Sequence, residues 1–121
     1  MTNAVDPTRY RLIAADMDGT LAGADHRVTA RTVTALARAE RAGLRVVIVT
    51  GRAYPTALEV WQQAGLSAPI ITCGGALTLQ PPGMAVVQSA CLPSPVVEEA
   101  LQIGREMDLT VSLWTEREIW V

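Results

Sequence analysis

Two carboxylates lie two positions apart in the segment LIAADMDGTLAG, residues 12–23. Asp16 and Asp18 follow an apolar run, and alternation along a strand would point both side chains the same way. A hard divalent cation such as Mg²⁺, which prefers oxygen ligands, would relieve their repulsion. One carboxylate could then attack phosphorus, and the other could serve as general acid and base. The alternative is a pair of solvated acids in the turn after a strand.

A second group of polar residues follows the next apolar run, in the segment VVIVTGR. Thr50 offers a hydroxyl, Gly51 a backbone N–H that a ligand can approach closely, and Arg52 a positive charge. These groups suit the oxygens of a phosphoryl group. The alternative is a turn between strand and helix in which Gly51 provides tightness and Arg52 is a surface charge.

The elements around these residues alternate between apolar strands and helical patterns. We predict strands at residues 11–15, 44–50 and 68–73, and helices at residues 29–42 and 56–64, the second with Pro55 in its first turn. This order is typical of a parallel sheet with right-handed crossovers. In such a sheet ligands bind at the carboxyl ends of the strands, where Asp16 and Thr50 fall.

The pattern changes in the second half of the chain. Residues 76–80 and 84–89 predict a hairpin around a turn at 81–83, and residues 91–95 predict a linker. A helix is predicted at residues 96–107, with Glu98 and Glu99 in its first turn, followed by strands at 109–114 and 118–121. We therefore divide the chain into a first unit, residues 1–90, and the start of a second, residues 91–121.

The motifs DMDGTL, VVIVTGR and ITCGGA together resemble the haloacid dehalogenase-like phosphatases, and in particular the Cof-like subgroup. The resemblance extends over residues 10–121 and implies an α/β fold: part of a Rossmann-like parallel sheet, then a hairpin (about residues 76–89) and the beginning of an α+β cap domain inserted after the third core strand. Gly74 stands where the subgroup commonly has asparagine.

The resemblance also implies roles for the residues singled out above. Asp16 would be the nucleophile and a ligand of Mg²⁺, and Asp18 the general acid and base, also contributing to the metal site. Thr50 and the Gly51 amide would bind the phosphoryl group, with Arg52 near the mouth of the site. The implied activity is magnesium-dependent hydrolysis of a small phosphorylated metabolite through an aspartyl-phosphate.

The sequence departs from the family pattern in its later motifs. It contains no lysine, since all ten of its basic residues are arginine, and no acidic pair follows a later core strand. We therefore expect the chain to be the N-terminal part of such an enzyme, inactive by itself and prone to self-association through uncovered strand edges. The alternative is a naturally minimal domain.

Composition excludes several other classes of protein. A formal net charge of −2 with scattered arginines argues against a nucleic-acid surface or a membrane patch, and no apolar run approaches the ~20 residues of a membrane span. Residues 1–11 show no signal-peptide pattern. Cys73 and Cys91 suggest reduced thiols in a cytoplasmic protein, and His26, the single histidine, gives no support to a histidine metal site.

Two further functional classes stay open at this point. The chain could be a truncated, non-catalytic module that keeps the fold for binding or assembly. It could also be a phosphoacceptor signalling domain, which likewise gathers acids at strand ends. The DGTL continuation and the predicted hairpin argue against the signalling domain.

Overall fold

The computed structural model describes residues 9–81 and 83–121. It contains a five-stranded sheet, three α-helices, a 3₁₀ turn at Cys73–Gly75 and a separate two-stranded sheet. The elements, in chain order, are β1 (Leu12–Asp16), α1 (Ala30–Arg41), β2 (Arg45–Val49), α2 (Tyr54–Ala64), β3 (Ile70–Thr72), β4 (Leu77–Gln80), β5 (Ala85–Ser89), α3 (Ser94–Glu106), β6 (Leu113–Trp114) and β7 (Ile119–Trp120).

The five strands follow one another in sequence order across the sheet. β1, β2 and β3 are parallel, and β4 and β5 continue the sheet as an antiparallel hairpin. The mixed α/β fold class predicted from the sequence is confirmed. Pro82, in the predicted hairpin turn, lies outside the described residues, as do residues 1–8 of the segment predicted to lack a signal peptide.

The parallel part is built by two β-α-β units whose helices begin and end where the sequence gives signals. The hydroxyl of Thr29 accepts a hydrogen bond from the Thr32 N–H (3.1 Å) and so caps α1. Helix α2 begins at Tyr54, two residues before the predicted start, because Pro55 is suited to the first turn. Helices α1 and α2 contact each other, and they pack against β2 and β3 respectively.

The hydrophobic core lies between this sheet and the first two helices. All of the buried apolar side chains of the described chain fall between residues 17 and 79. β2 supplies three consecutive buried residues, since a central strand is covered on both faces. The main core members are Met17, Leu36, Val46, Ile48, Ala57, Val60, Ile70, Leu77 and Leu79. β1 is different: Leu12 is 54% exposed, and within the described chain this strand pairs with β2 alone.

The second half of the chain differs most from its predicted boundaries at α3 and β6, and its other strands begin or end within one residue of the prediction. Helix α3 begins at Ser94, inside the predicted linker, because Pro95 fits the first turn of a helix. Glu98 and Glu99 therefore lie beyond the first turn, and the prediction that placed them in it was wrong. β6 is shorter than predicted because the segment before it packs on α3. There the Leu109 N–H donates to the Gly104 carbonyl (2.9 Å), and Val111 fills the space beside Gly104.

The proposed division of the chain at residue 91 stays a prediction. None of the three helices in the described part of the chain is both long and apolar enough to cross a membrane.

Candidate active site

Asp16 is the last residue of β1, and the sheet register brings it next to the end of β2. Asp16 is the register partner of Val49, which directly precedes Thr50. An open cavity of about 420 Å³ is lined by Asp16, Thr50, Gly51 and Gly74, together with three apolar residues of β1 and β2 (Ala14, Ala15 and Val49). Three of the five residues selected from the sequence thus line one cavity at the carboxyl edge of the parallel strands.

Thr50 is held in place by three hydrogen bonds. Its N–H donates to the Ile71 carbonyl (2.9 Å), and its own carbonyl accepts from the Gly74 N–H (3.1 Å). Its hydroxyl oxygen accepts from the Arg52 N–H (3.2 Å). The residue is only 3% exposed. Because the hydroxyl uses a lone pair in this bond, its hydrogen is available to donate to a ligand in the cavity.

The backbone on this side of the cavity is open to a ligand. A Cβ atom built on Gly51 would meet no described atom within 4 Å apart from those of its neighbours in the chain, and the same is true of Gly74. A phosphoryl oxygen can therefore approach the Gly51 peptide without meeting a side chain.

Asp18 lies beyond the end of β1, in a tight turn. The Met17 carbonyl accepts from the N–H groups of Leu21 (3.1 Å) and Ala22 (2.9 Å), and Gly19 adopts a left-handed φ of 75°. Met17 is completely buried, so it anchors the turn, while the Asp18 side chain is 47% exposed. Asp18 is thus outside the strand, and the expected strand alternation does not determine its direction.

Arg52 binds Asp18 and is absent from the lining of the cavity. Its Nε donates to Oδ2 of Asp18 (2.8 Å), and its Nη2 donates to Oδ1, giving a bidentate pair. Its Nη1 donates to the carbonyl of Thr56 in α2 (3.3 Å). Hydrogen bonding by Arg52 lowers the pKa of the Asp18 carboxyl below its ordinary value, and the positive charge of Arg52 acts in the same direction. The same bond raises the pKa of Arg52.

His26 is the functional candidate that sequence reasoning missed. Its Nδ1 lies 2.6 Å from Nη2 of Arg52 and 3.5 Å from Oδ1 of Asp18. The sequence offered only a single histidine in the connection between DGTL and α1. Nothing in its spacing from Asp18 or Arg52 indicated this contact.

The oxygen donors available to a cation are Asp16 and Asp18. Within residues 9–81 and 83–121, no cluster of three or more His, Cys, Asp or Glu side chains is arranged to hold a metal. Two carboxylates suit Mg²⁺ in donor type, because this ion commonly uses one or two carboxylates and keeps several waters. Arg52 engages the Asp18 carboxylate, so the Asp16 carboxylate and, as the family resemblance implies, the Asp18 backbone carbonyl would be the donors to a cation.

Comparison with known proteins agrees with this architecture. A profile of the haloacid dehalogenase-like hydrolases matches residues 13–121. An HMP-PP phosphatase from Serratia proteamaculans is 34% identical over 112 residues, which cover 93% of this chain and 40% of that protein. A pyridoxal phosphate phosphatase from Escherichia coli is 36% identical over 93 residues, covering 77% of this chain and 33% of that protein.

A solved structure supports the fold independently. A HAD-superfamily phosphatase from Bacteroides thetaiotaomicron superposes with a TM-score of 0.77 at 24% identity, covering 91% of this chain and 40% of that one. The chain thus spans about two fifths or less of the length of these relatives.

Proposed function

This chain belongs to the haloacid dehalogenase-like hydrolase family, and on that premise we propose that it carries the nucleophile half of a magnesium-dependent phosphatase. The substrate would be a small phosphorylated metabolite, hydrolysed through an aspartyl-phosphate. The observation that supports this most is the cavity shared by Asp16, Thr50 and Gly51. It combines a carboxylate, a hydroxyl with a free hydrogen and an open backbone amide, which are groups that suit a phosphoryl ester.

The proposed reaction has two steps. In the first, a carboxylate oxygen of Asp16 forms a bond to phosphorus while the ester bond breaks, and the leaving oxygen takes a proton from Asp18. In the second, Asp18 takes a proton from a water molecule as that water attacks phosphorus, which releases inorganic phosphate and restores Asp16. Thr50 and the Gly51 amide hold the phosphoryl oxygens in both steps. Mg²⁺, held by the Asp16 carboxylate and the Asp18 carbonyl, would offset the charge of the phosphoryl group.

Arg52 has a different effect on the two steps. Its pairing with Asp18 stabilises the ionised carboxylate, which is the form required of the base in the second step. The same pairing makes the protonated form of Asp18, which the first step requires, less favourable. We therefore assign Arg52 to the control of Asp18, whereas the sequence pattern had placed it among the phosphate-binding residues.

The names of the two curated relatives suggest a substrate class. One is a phosphatase of HMP-PP and the other of pyridoxal phosphate. Both substrates are small and phosphorylated, and we extend only that class to this chain. A cytoplasmic location forms part of the proposal, supported by the two free cysteines, Cys73 and Cys91.

The proposal is tested by trapping the phosphoryl group on Asp16. The purified chain is mixed with Mg²⁺ and beryllofluoride, which mimics a phosphoryl group on a carboxylate, and binding is followed by ¹⁹F NMR. We expect a bound signal that needs Mg²⁺ and disappears in Asp16→Asn. An equal signal in that variant, or none in the unaltered chain at any Mg²⁺ concentration, would refute the assignment of Asp16.

Turnover is a separate measurement. The sequence contains no lysine, which is the residue that the family resemblance assigns to steadying the phosphorylated aspartate, and electrostatic stabilisation is usually the largest catalytic term. We expect hydrolysis of an aryl phosphate by this chain to fall far below ordinary enzymatic rates. A chain that neither binds beryllofluoride nor hydrolyses the ester would support the alternative of a non-catalytic binding module.

Self-association is also part of the proposal. Leu12 and Ile13 of β1 are 54% and 37% exposed, on a strand that pairs with β2 alone among the described strands. Such an edge can pair with a strand of another copy. Mass in solution measures this directly, and a monomer at high protein concentration would contradict it.

A further inference from the structure

The guanidinium of Arg52 has a third partner besides Asp18 and Thr56. Nη2 of Arg52 lies 2.6 Å from Nδ1 of His26. An arginine can only donate, so Nδ1 accepts and the imidazole carries its hydrogen on Nε2. Nη2 therefore donates to both Asp18 and His26.

His26 is held in position by its own loop. It has a left-handed φ of 58°, which costs energy for most residues other than glycine, asparagine and aspartate. The His26 N–H donates to the Gly23 carbonyl (2.9 Å), and the Gly23 N–H donates to the Arg27 carbonyl (3.1 Å). These two hydrogen bonds close the turn and fix the backbone from which the His26 side chain projects.

The same loop is attached to the helix that anchors Arg52. The N–H of Val28 donates to Oε1 of Gln63 in α2 (3.1 Å), and Nη1 of Arg52 donates to the Thr56 carbonyl in the first turns of α2 (3.3 Å). Helix α2 therefore fixes both the loop that carries His26 and the side chain that His26 contacts. The arrangement is set by the fold before any substrate arrives.

We propose that His26 is a positioning residue, acting through Arg52 to hold the Asp18 carboxylate in one orientation. Without the second acceptor, Nη2 would be restrained by the half-exposed Asp18 carboxylate alone, and the guanidinium would keep only its bonds to Asp18 and to the Thr56 carbonyl. The functional meaning of this positioning rests on the proposed function, in which Asp18 is the acid and base. The contact itself does not depend on it.

The test is ¹⁵N NMR of the Arg52 guanidinium in the full chain, with its signals assigned from their loss in Arg52→Lys. His26→Gly removes the imidazole and tolerates the left-handed backbone, and His26→Asn keeps a short acceptor and also tolerates it. Asp108→Gly is the matched control, because Asp108 has a similar φ of 54° at the end of α3.

Rotation about the Cζ–Nε bond of Arg52 appears as exchange between its two Nη signals. In His26→Gly we expect this exchange to accelerate by about 3- to 10-fold, which is the effect of losing one partly exposed hydrogen bond to a charged group. His26→Asn should restore part of the slow exchange, and Asp108→Gly should leave it unchanged. Exchange in His26→Gly equal to that in the unaltered chain would overturn the proposal.

A second measurement needs no variant. A scalar coupling across the Nη2–H···Nδ1 hydrogen bond should be detectable in the unaltered chain, and its absence at low temperature would overturn the proposal even if His26→Gly does not fold. Failure of the proposed phosphatase function would appear differently, as loss of beryllofluoride binding with the Arg52 signals intact.

Discussion

The ion pair between Asp18 and Arg52 allows a quantitative prediction by a double-mutant cycle. Asp18→Asn removes the charge with little change of shape, and Arg52→Met keeps the apolar stem. Their combination isolates the coupling between the two side chains from the contacts of Arg52 with Thr56 and His26.

The magnitude follows from the exposure of the two side chains. Asp18 is 47% exposed and Arg52 is 21% exposed, so water screens the pair strongly. Exposed pairs contribute about 0.2–1 kcal/mol, and a bidentate geometry belongs at the upper end of that range. We therefore expect a coupling free energy of about 1 kcal/mol near neutral pH, decreasing with added salt.

The pH dependence has a definite sign. Arg52 lowers the pKa of Asp18 in the folded chain from the ordinary 3.8, so the folded state favours the ionised carboxylate. The stabilisation is fully present above the unfolded pKa of 3.8 and is lost as the pH falls below that value through the lower, folded pKa. The titration of Asp18 should therefore leave the coupling unchanged from neutral pH down to about pH 5 and weaken it below about pH 4.

Urea denaturation of the four proteins at several pH values measures this coupling. A coupling within error of zero at neutral pH would show that the pair does not persist in solution. A coupling that grows as the pH falls from 5 to 3 would refute the reasoning about Asp18, because the sign would be reversed.

Two further predictions concern the strand end and the last helix. Thr50→Val removes the acceptor of the Arg52 N–H, so we expect a loss of about 1–2 kcal/mol in the free energy of unfolding and weaker beryllofluoride binding. Thr50→Ser, which keeps the hydroxyl, should retain more of the binding. Equal binding in the valine variant would place the hydroxyl outside the site. Gly104→Ala would bring a Cβ to 2.3 Å from the Val111 side chain. We therefore expect net destabilisation of about 1–2 kcal/mol, measured by thermal or urea unfolding, despite the better helix propensity of alanine, and Val111→Ala should relieve part of it. A Gly104→Ala variant more stable than the unaltered chain would contradict the packing described.

The sequence by itself was sufficient to predict the parallel part of the fold and the position of the nucleophile candidate. Apolar runs that end in Asp16 and in Thr50 must bring these residues to the same edge, because parallel strands in adjacent register share their carboxyl ends. Gly65 likewise marks the end of α2, with a φ of 67° that glycine adopts without strain. These features depend on the local residue pattern and on the geometry of β-α-β units, and both can be inferred from the amino-acid sequence.

Element boundaries in the second half were less predictable. Pro95 serves equally well in a linker and in a first helical turn, so its identity alone could not decide where α3 begins. The shortening of β6 depends on Val111 packing beside Gly104, a contact that arises only once the chain turns back on the helix.

Only the tertiary structure decided which side chains Arg52 and His26 contact. Arg52 and Asp18 are 34 positions apart, and His26 lies 26 positions from Arg52, on a loop with no periodic pattern. The partner that a long polar side chain contacts depends on distances that are set by loop conformation and helix packing. Several partners are compatible with the same sequence. The docking of the 23–28 loop and of Arg52 on α2 selects one of them, because it leaves the guanidinium between the Asp18 carboxylate and the His26 imidazole.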